Sequence, residues 1–160
     1  MDGLQLWQAL HFNPETASRF DGVFAVDTLN TLRHSPRMLV CNTDQSNRPG
    51  KHWLLFYFDG RVVEMFDSLG RDVGDYDPRL GQYLRRHADE IRRLTRRVQP
   101  EGSDACGHYC LYYAYMRCRG NSMRSIVATI PSTRFVRTFV KDVFDIPASH
   151  NLTFQSCVHC

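Results

Sequence analysis

The stretch HWLLFYFDGRVVEMFDSLG, residues 52–70, constrains the fold more than any other part of this chain. Two apolar, β-prone runs flank Asp59-Gly60, the strongest short-range hairpin signal. With Phe58 and Arg61 bracketing a two-residue turn, strand pairing sets His52 directly opposite Asp67. Opposed residues on antiparallel strands share a face, with Cβ atoms about 4.5–5.5 Å apart. A one-residue slip would send the two side chains to opposite faces. Turn chemistry therefore predicts an imidazole beside a carboxylate.

The segments around this hairpin read as a mixture of helix and strand. Residues 4–10 suit a short helix, DGVFAVDTLNTLR (21–33) a turn followed by helix, and RMLVCNT (37–43) a strand. Residues 43–51 have loop composition. DPRLGQYLRRHADEIRRLTRRVQ (77–99) reads as one long amphipathic helix, with Leu80, Leu84, Ala88, Ile91 and Leu94 as its buried stripe. Cys106 to about Arg119 reads as a largely buried helix, and residues 132–144 as a last helix capped by Ser132 or Thr133. Helices around a short antiparallel sheet make the expected class α+β, in a single domain over residues 1–160.

Bulk properties exclude several classes. No apolar run approaches the roughly 20 residues that span a bilayer, and the N-terminus lacks the basic and apolar blocks of a secretory signal. Six cysteines at irregular spacing in 160 residues give no disulfide framework, so reduced thiols in an intracellular setting are expected. The net charge of +3 is unevenly spread: residues 79–99 hold seven arginines against Asp89 and Glu90. That asymmetry suggests an anionic partner.

Cys106 stands where a polar, glycine-bearing loop becomes helix, in VQPEGSDACGHYC (98–110). A helix N-terminus and a nearby imidazolium both favour the thiolate, which is the reactive form of cysteine. Next to the His52–Asp67 pair, Cys106 completes a nucleophile–base–orienter set. Acyl transfer also needs donors at the developing oxyanion. The Cys106 N–H and the side-chain amide of Gln99, seven residues upstream, are the candidates. Gly102 and Gly107 leave room for a substrate backbone. His108 is excluded as the base, because two residues along a helix turn it about 200° away from Cys106.

The motifs KHWLLFYF, EMFDSLG and VQPEGSDACGHYC resemble those of the adenovirus maturation protease (adenain) family and, more distantly, the SUMO-type modifier proteases. The resemblance is strongest over residues 51–113 and continues weakly through SRFDGVFAVDTLNTL (18–32) and SHNLTFQSC (149–157). It implies a papain-like architecture of adenain type. It also implies a general base at His52, its partner at Asp67, an oxyanion donor at Gln99 and a nucleophile at Cys106. By the same resemblance Trp53 lines the substrate cleft near small residues, although strand alternation alone would turn it away from His52. Two departures stand out: the acidic member is aspartate, as in the modifier proteases, and no cysteine lies between Asp67 and Gln99 to carry a disulfide-linked activating peptide.

The implied activity is cleavage of protein substrates, such as capsid or core precursors, at Gly-Gly or Gly-X sites by a monomer. Removal of ubiquitin-like modifiers is the alternative, and acyl transfer a further one. No cofactor is required for the chemistry itself; the resemblance allows activation by DNA and/or a peptide, and without a cysteine between Asp67 and Gln99 peptide activation is either absent or non-covalent. Non-specific DNA contact would fall to Arg85, Arg86, Arg92, Arg93, Arg96 and Arg97, and the expected location is the host nucleus and virion, or the cell interior for a non-viral source. No metal is expected. The tail CVHC offers Cys157, His159 and Cys160, whereas a closed structural zinc site needs four ligands.

Overall fold

The computed structural model describes residues 1–144 and 146. In chain order it contains α1 (Gly3–Phe12), β1 (Phe20–Ala25), β2 (Met38–Asn42), β3 (Trp53–Asp59), β4 (Val62–Phe66), α2 (Pro78–His87), β5 (Glu90–Arg93), α3 (Cys106–Cys118), α4 (Met123–Ala128) and α5 (Thr133–Val143). The five strands form one sheet in sequence order, β1-β2-β3-β4-β5. The central pairs β2–β3 and β3–β4 are antiparallel, and the two outer strands pair parallel to their neighbours.

Burial of both sheet faces explains why β3 reads as an unbroken apolar run. On one face Met38, Val40, Leu55, Tyr57 and Phe66 pack with α1, α3 and α5, through Leu6, Leu10, Tyr109, Tyr113, Val136 and Val140. On the other, Leu39, Cys41, Leu54, Phe56, Phe58, Val63 and Met65 pack with Leu80 and Leu84 of α2. Successive strand residues thus serve alternate cores, as the pleat requires. The class is α+β, with a mixed five-stranded sheet.

Three local expectations are corrected. The segment 77–99 is not one helix: α2 ends at His87, and the chain then turns onto the free edge of β4 as β5. Arg61 makes the switch by accepting the N–H groups of Asp89 and Glu90 on its carbonyl and binding the Asp89 carboxylate through Nε and Nη2. The apolar stripe is divided accordingly, with Leu80, Leu84 and Ala88 in one core and Leu94 in the other.

The segment 21–33 opens as strand rather than turn, because Gly22 to Ala25 pairs with β2, and only Leu29–Thr31 forms a single helical turn. The hairpin turn is placed one residue later than Asp59-Gly60 implies. Asp59 pairs with Val62, so Gly60 and Arg61 form the turn, with Gly60 at φ +56°. Every cross-strand partner moves by two residues, which preserves the face each side chain occupies. α4 was not foreseen.

Candidate active site

Cys106 is the first residue of α3, where the N–H groups lack intrahelical acceptors. Ala105 caps the helix without a side-chain bond, and its own N–H is held by Ser103 Oγ at 3.3 Å. His52 and the backbone N–H groups of Trp53 and Gly107 lie close enough to the sulfur to favour its ionised form. Burial pushes the thiol pKa up, but these donors and the imidazole charge outweigh it and bring it below the ordinary cysteine value. The surroundings of Cys106 therefore shift it toward the thiolate.

His52 precedes β3 by one residue and Asp67 follows β4 by one, so both stand just beyond the paired ladder. The observed register would set His52 opposite Leu69, which makes Asp67 its diagonal neighbour on the same face. Their side chains meet at 2.6 Å between Nε2 and Oδ1, and both residues are buried. With Nε2 engaged by Asp67, Nδ1 is the nitrogen left for the thiol. Burial lowers the imidazole pKa, yet the bonds to Asp67 and Cys106 prevail and raise it to about 9.

Asp67 accepts three further bonds: Leu69 N–H on Oδ1 at 2.8 Å, and Arg71 N–H at 3.0 Å and Tyr76 Oη at 2.6 Å on Oδ2. Burial raises its pKa, but the His52, Tyr76 and backbone donors hold the carboxyl below its usual value. The Tyr76 ring also lies nearly parallel to the His52 ring, with centroids 6.4 Å apart. Sequence reading missed Tyr76, which sits nine residues past Asp67 with no local motif to mark it.

Gln99 is brought to the same place by the loop after β5. Its backbone N–H and that of Val98 both donate to the Ser68 carbonyl, at 3.0 and 2.9 Å. Its side-chain Oε1 accepts from Ser68 Oγ at 2.7 Å, and Nε2 donates to the Ser103 carbonyl. Gly70 permits this approach: a Cβ there would lie 2.4 Å from the Arg96 carbonyl carbon, and its φ is +68°.

His52, Trp53, Gln99, Gly102 and Cys106 line one cleft of about 910 Å³. Trp53 reaches the cleft although it follows His52 directly, because His52 lies outside the regular strand and strict alternation does not apply to the pair. Trp53 Nε1 donates to the Met1 carbonyl at 3.2 Å. Gly102, at φ +71°, has open space where a Cβ would project. Gly107 differs from expectation: a Cβ there would come 3.2 Å from Met1, so its smallness serves packing rather than substrate.

The arginines do not share one helix. Arg85 and Arg86 are on α2, Arg92 and Arg93 on β5, and Arg96 and Arg97 on the following loop. Arg92 and Arg93 pair with Glu90 and Asp72, Arg86 bonds Asn30, and Arg96 bonds the Val127 carbonyl. Arg97 lines the cleft. His108 lines a separate cavity beside Arg137, and burial there with that neighbouring charge holds its pKa down to about 4. Cys110 is buried under Cys106, with its thiol toward the Trp53 carbonyl at 3.5 Å. Among the described residues no cluster of ligands suits a metal, and Cys157, His159 and Cys160 lie outside them.

No known protein-family model matches the chain. A cysteine protease of African swine fever virus is 28% identical over 113 residues, which is 64% of this chain and 38% of that protein. The chain thus matches well under half the length of that curated relative. A crystal structure of the African swine fever virus protease superposes with a TM-score of 0.59 at 18% identity, covering 91% of this chain and 67% of that one. ChlaDub1 from Chlamydia trachomatis gives a TM-score of 0.48 at 13% identity, over 75% of this chain and 64% of that one. The fold built around Cys106, His52 and Asp67 is thus one found in a viral cysteine protease.

Proposed function

We propose that this chain is a cysteine endopeptidase that cleaves precursor proteins at Gly-Gly or Gly-X sites. One observation carries the reading: His52 bonds Asp67 at 2.6 Å and lines one cleft with Cys106, whose thiol pKa the imidazole lowers. The Cys106 thiolate adds to the scissile carbonyl carbon, and the carbonyl π electrons move onto oxygen. The Cys106 N–H and the Gln99 amide stabilise that oxyanion. Imidazolium His52 gives its proton to the leaving amine, and the tetrahedral species collapses to a thioester. Neutral His52 then takes a proton from water, whose oxygen displaces the sulfur. Asp67 keeps the imidazole oriented throughout and stays ionised.

Trp53 and the open Gly102 loop support small residues on the acyl side of the cut. The test is mass-spectrometric trapping of a Gly-Gly acyl group on Cys106 during turnover of a Gly-Gly peptide thioester. A label on Cys110 or Cys118 instead would defeat the reading.

A second reading, removal of ubiquitin-like modifiers, draws on the aspartate at position 67, the acidic member that modifier proteases use. Hydrolysis of modifier–amide conjugates without cleavage of short Gly-X peptides would favour it. Adenain-type affinity, action in the host nucleus and virion, and stimulation by DNA or a non-covalent peptide belong to the viral form of the proposal. DNA contact would draw on exposed guanidiniums spread over α2, β5 and the next loop. It is tested by salt-dependent stimulation of turnover, which is purely electrostatic and sequence-independent in this reading.

A further inference from the structure

The hydrogen bonds of Ser68 have no part in the chemistry just described, yet they meet Gln99 from two directions. Its carbonyl oxygen accepts both the Val98 and Gln99 N–H groups, so the loop is tied to the end of β4 through main chain. Its hydroxyl donates to Gln99 Oε1 at 2.7 Å. Ser68 and Gln99 are both buried, so water does not compete for these bonds. Gly70 is the other half of the fit, since any side chain there would strike the Arg96 backbone.

An amide side chain has an accepting end and a donating end of nearly the same shape. Only the donating end stabilises an oxyanion, whereas Oε1 in its place would repel the charge. The Ser103 carbonyl can only accept, and therefore takes Nε2. Oε1 can only accept, and therefore takes the Ser68 hydroxyl proton. One Nε2 hydrogen is used by Ser103, and the second remains for substrate.

We propose that Ser68 is a positioning residue that fixes the orientation of the Gln99 amide, so that its N–H faces the reacting carbonyl oxygen. This rests on the reading of Cys106 as nucleophile and Gln99 as oxyanion donor. Ser68 itself is buried and is not among the residues that line the cleft. Its removal leaves Oε1 buried without a donor, so that the Ser103 carbonyl alone orients the amide and holds it less firmly.

The test compares wild type, Ser68→Ala, Ser68→Thr, Gln99→Ala and the Ser68→Ala/Gln99→Ala double variant. Two rates are read at Cys106: turnover of p-nitrophenyl acetate, which passes through an oxyanion, and alkylation by iodoacetamide, which does not. Losing one oxyanion donor typically costs on the order of 10²–10³ in rate. Ser68→Ala is expected to lose about 10-fold or more of the ester turnover, a part of that full loss. Its alkylation should stay within about twofold of wild type, because thiolate and imidazole remain in place. Ser68→Thr, which keeps the hydroxyl, is expected to recover most of the ester rate. The double variant should be no slower than Gln99→Ala.

Wild-type ester turnover by Ser68→Ala would overturn the proposal, as would a parallel fall in alkylation. So would a double variant slower than Gln99→Ala by the full Ser68→Ala factor. The small ester asks nothing of peptide specificity, so failure to cleave Gly-Gly peptides would defeat the functional reading and leave this result standing.

Discussion

Tyr76 and Asp67 are joined by a 2.6 Å hydrogen bond from the phenol to Oδ2, on the carboxylate oxygen opposite the one that meets His52. The acid is therefore fixed from both sides before any substrate arrives. A hydrogen bond to a charged group contributes about 1.5–3 kcal/mol. Tyr76→Phe is expected to lower stability at neutral pH by about that amount. Asp67 has a depressed folded-state pKa, so its stabilisation is present above the unfolded value near 3.8 and is lost as pH falls through the folded one. The deficit of Tyr76→Phe should accordingly shrink in acid, which chemical denaturation at several pH values measures.

In the proposed mechanism His52 and Cys106 set the pH window of activity. The raised imidazole pKa contributes stability that is complete below 6.5 and lost as pH rises through about 9. The depressed Cys106 pKa works oppositely, with its contribution lost as pH falls through the folded value. The rate of Cys106 alkylation should rise below the usual thiol range, and hydrolysis should decline near pH 9 as His52 loses the proton it gives to the leaving group. Asp67→Asn removes the charge that supports the imidazolium and should move that basic limb to lower pH.

Gly70 and Gly102 both have positive φ, and substitution should separate their roles. At Gly70 a Cβ would lie 2.4 Å from Arg96 backbone, so Gly70→Ala should push the Gln99 loop away and lower both melting temperature and kcat. At Gly102 the space is open, and only left-handed strain of about 1–2 kcal/mol opposes alanine. Gly102→Ala should fold, with its effect chiefly on KM.

Glu64 binds Tyr113 Oη at 2.8 Å and Arg117 Nε at 2.7 Å inside the core, away from the cleft. Arg117 also lies over the Tyr57 ring at 4.2 Å. Removing one member of a buried pair costs about 3–5 kcal/mol, because the other is left uncompensated. Glu64→Ala should lose stability on that scale while leaving the pH profile of Cys106 alkylation unchanged.

The meeting of His52 and Asp67 was legible in the sequence for a reason that survived an error. The turn lies one residue later than Asp59-Gly60 implies, but a shift of two in pairing keeps side chains on the same face. The start of α3 at Cys106 was legible because loop composition changes abruptly there. β1 and β5 were not, since each is a short strand held by parallel pairing to a remote partner, and local periodicity carries no trace of that partner. In residues 77–99 the apolar spacing of α2 ran on by chance through Ile91 and Leu94. Tyr76 and Ser68 became visible only once the end of β4, the loop after it and the Gln99 loop were seen together.

The central claim is tested most directly by steady-state hydrolysis of a Gly-Gly-containing fluorogenic peptide by wild type, Cys106→Ala and His52→Ala, with and without DNA. Wild type should turn the peptide over, and both variants should lose at least about 10³-fold, since members of such a unit fail together. Equal turnover by wild type and Cys106→Ala would contradict the account.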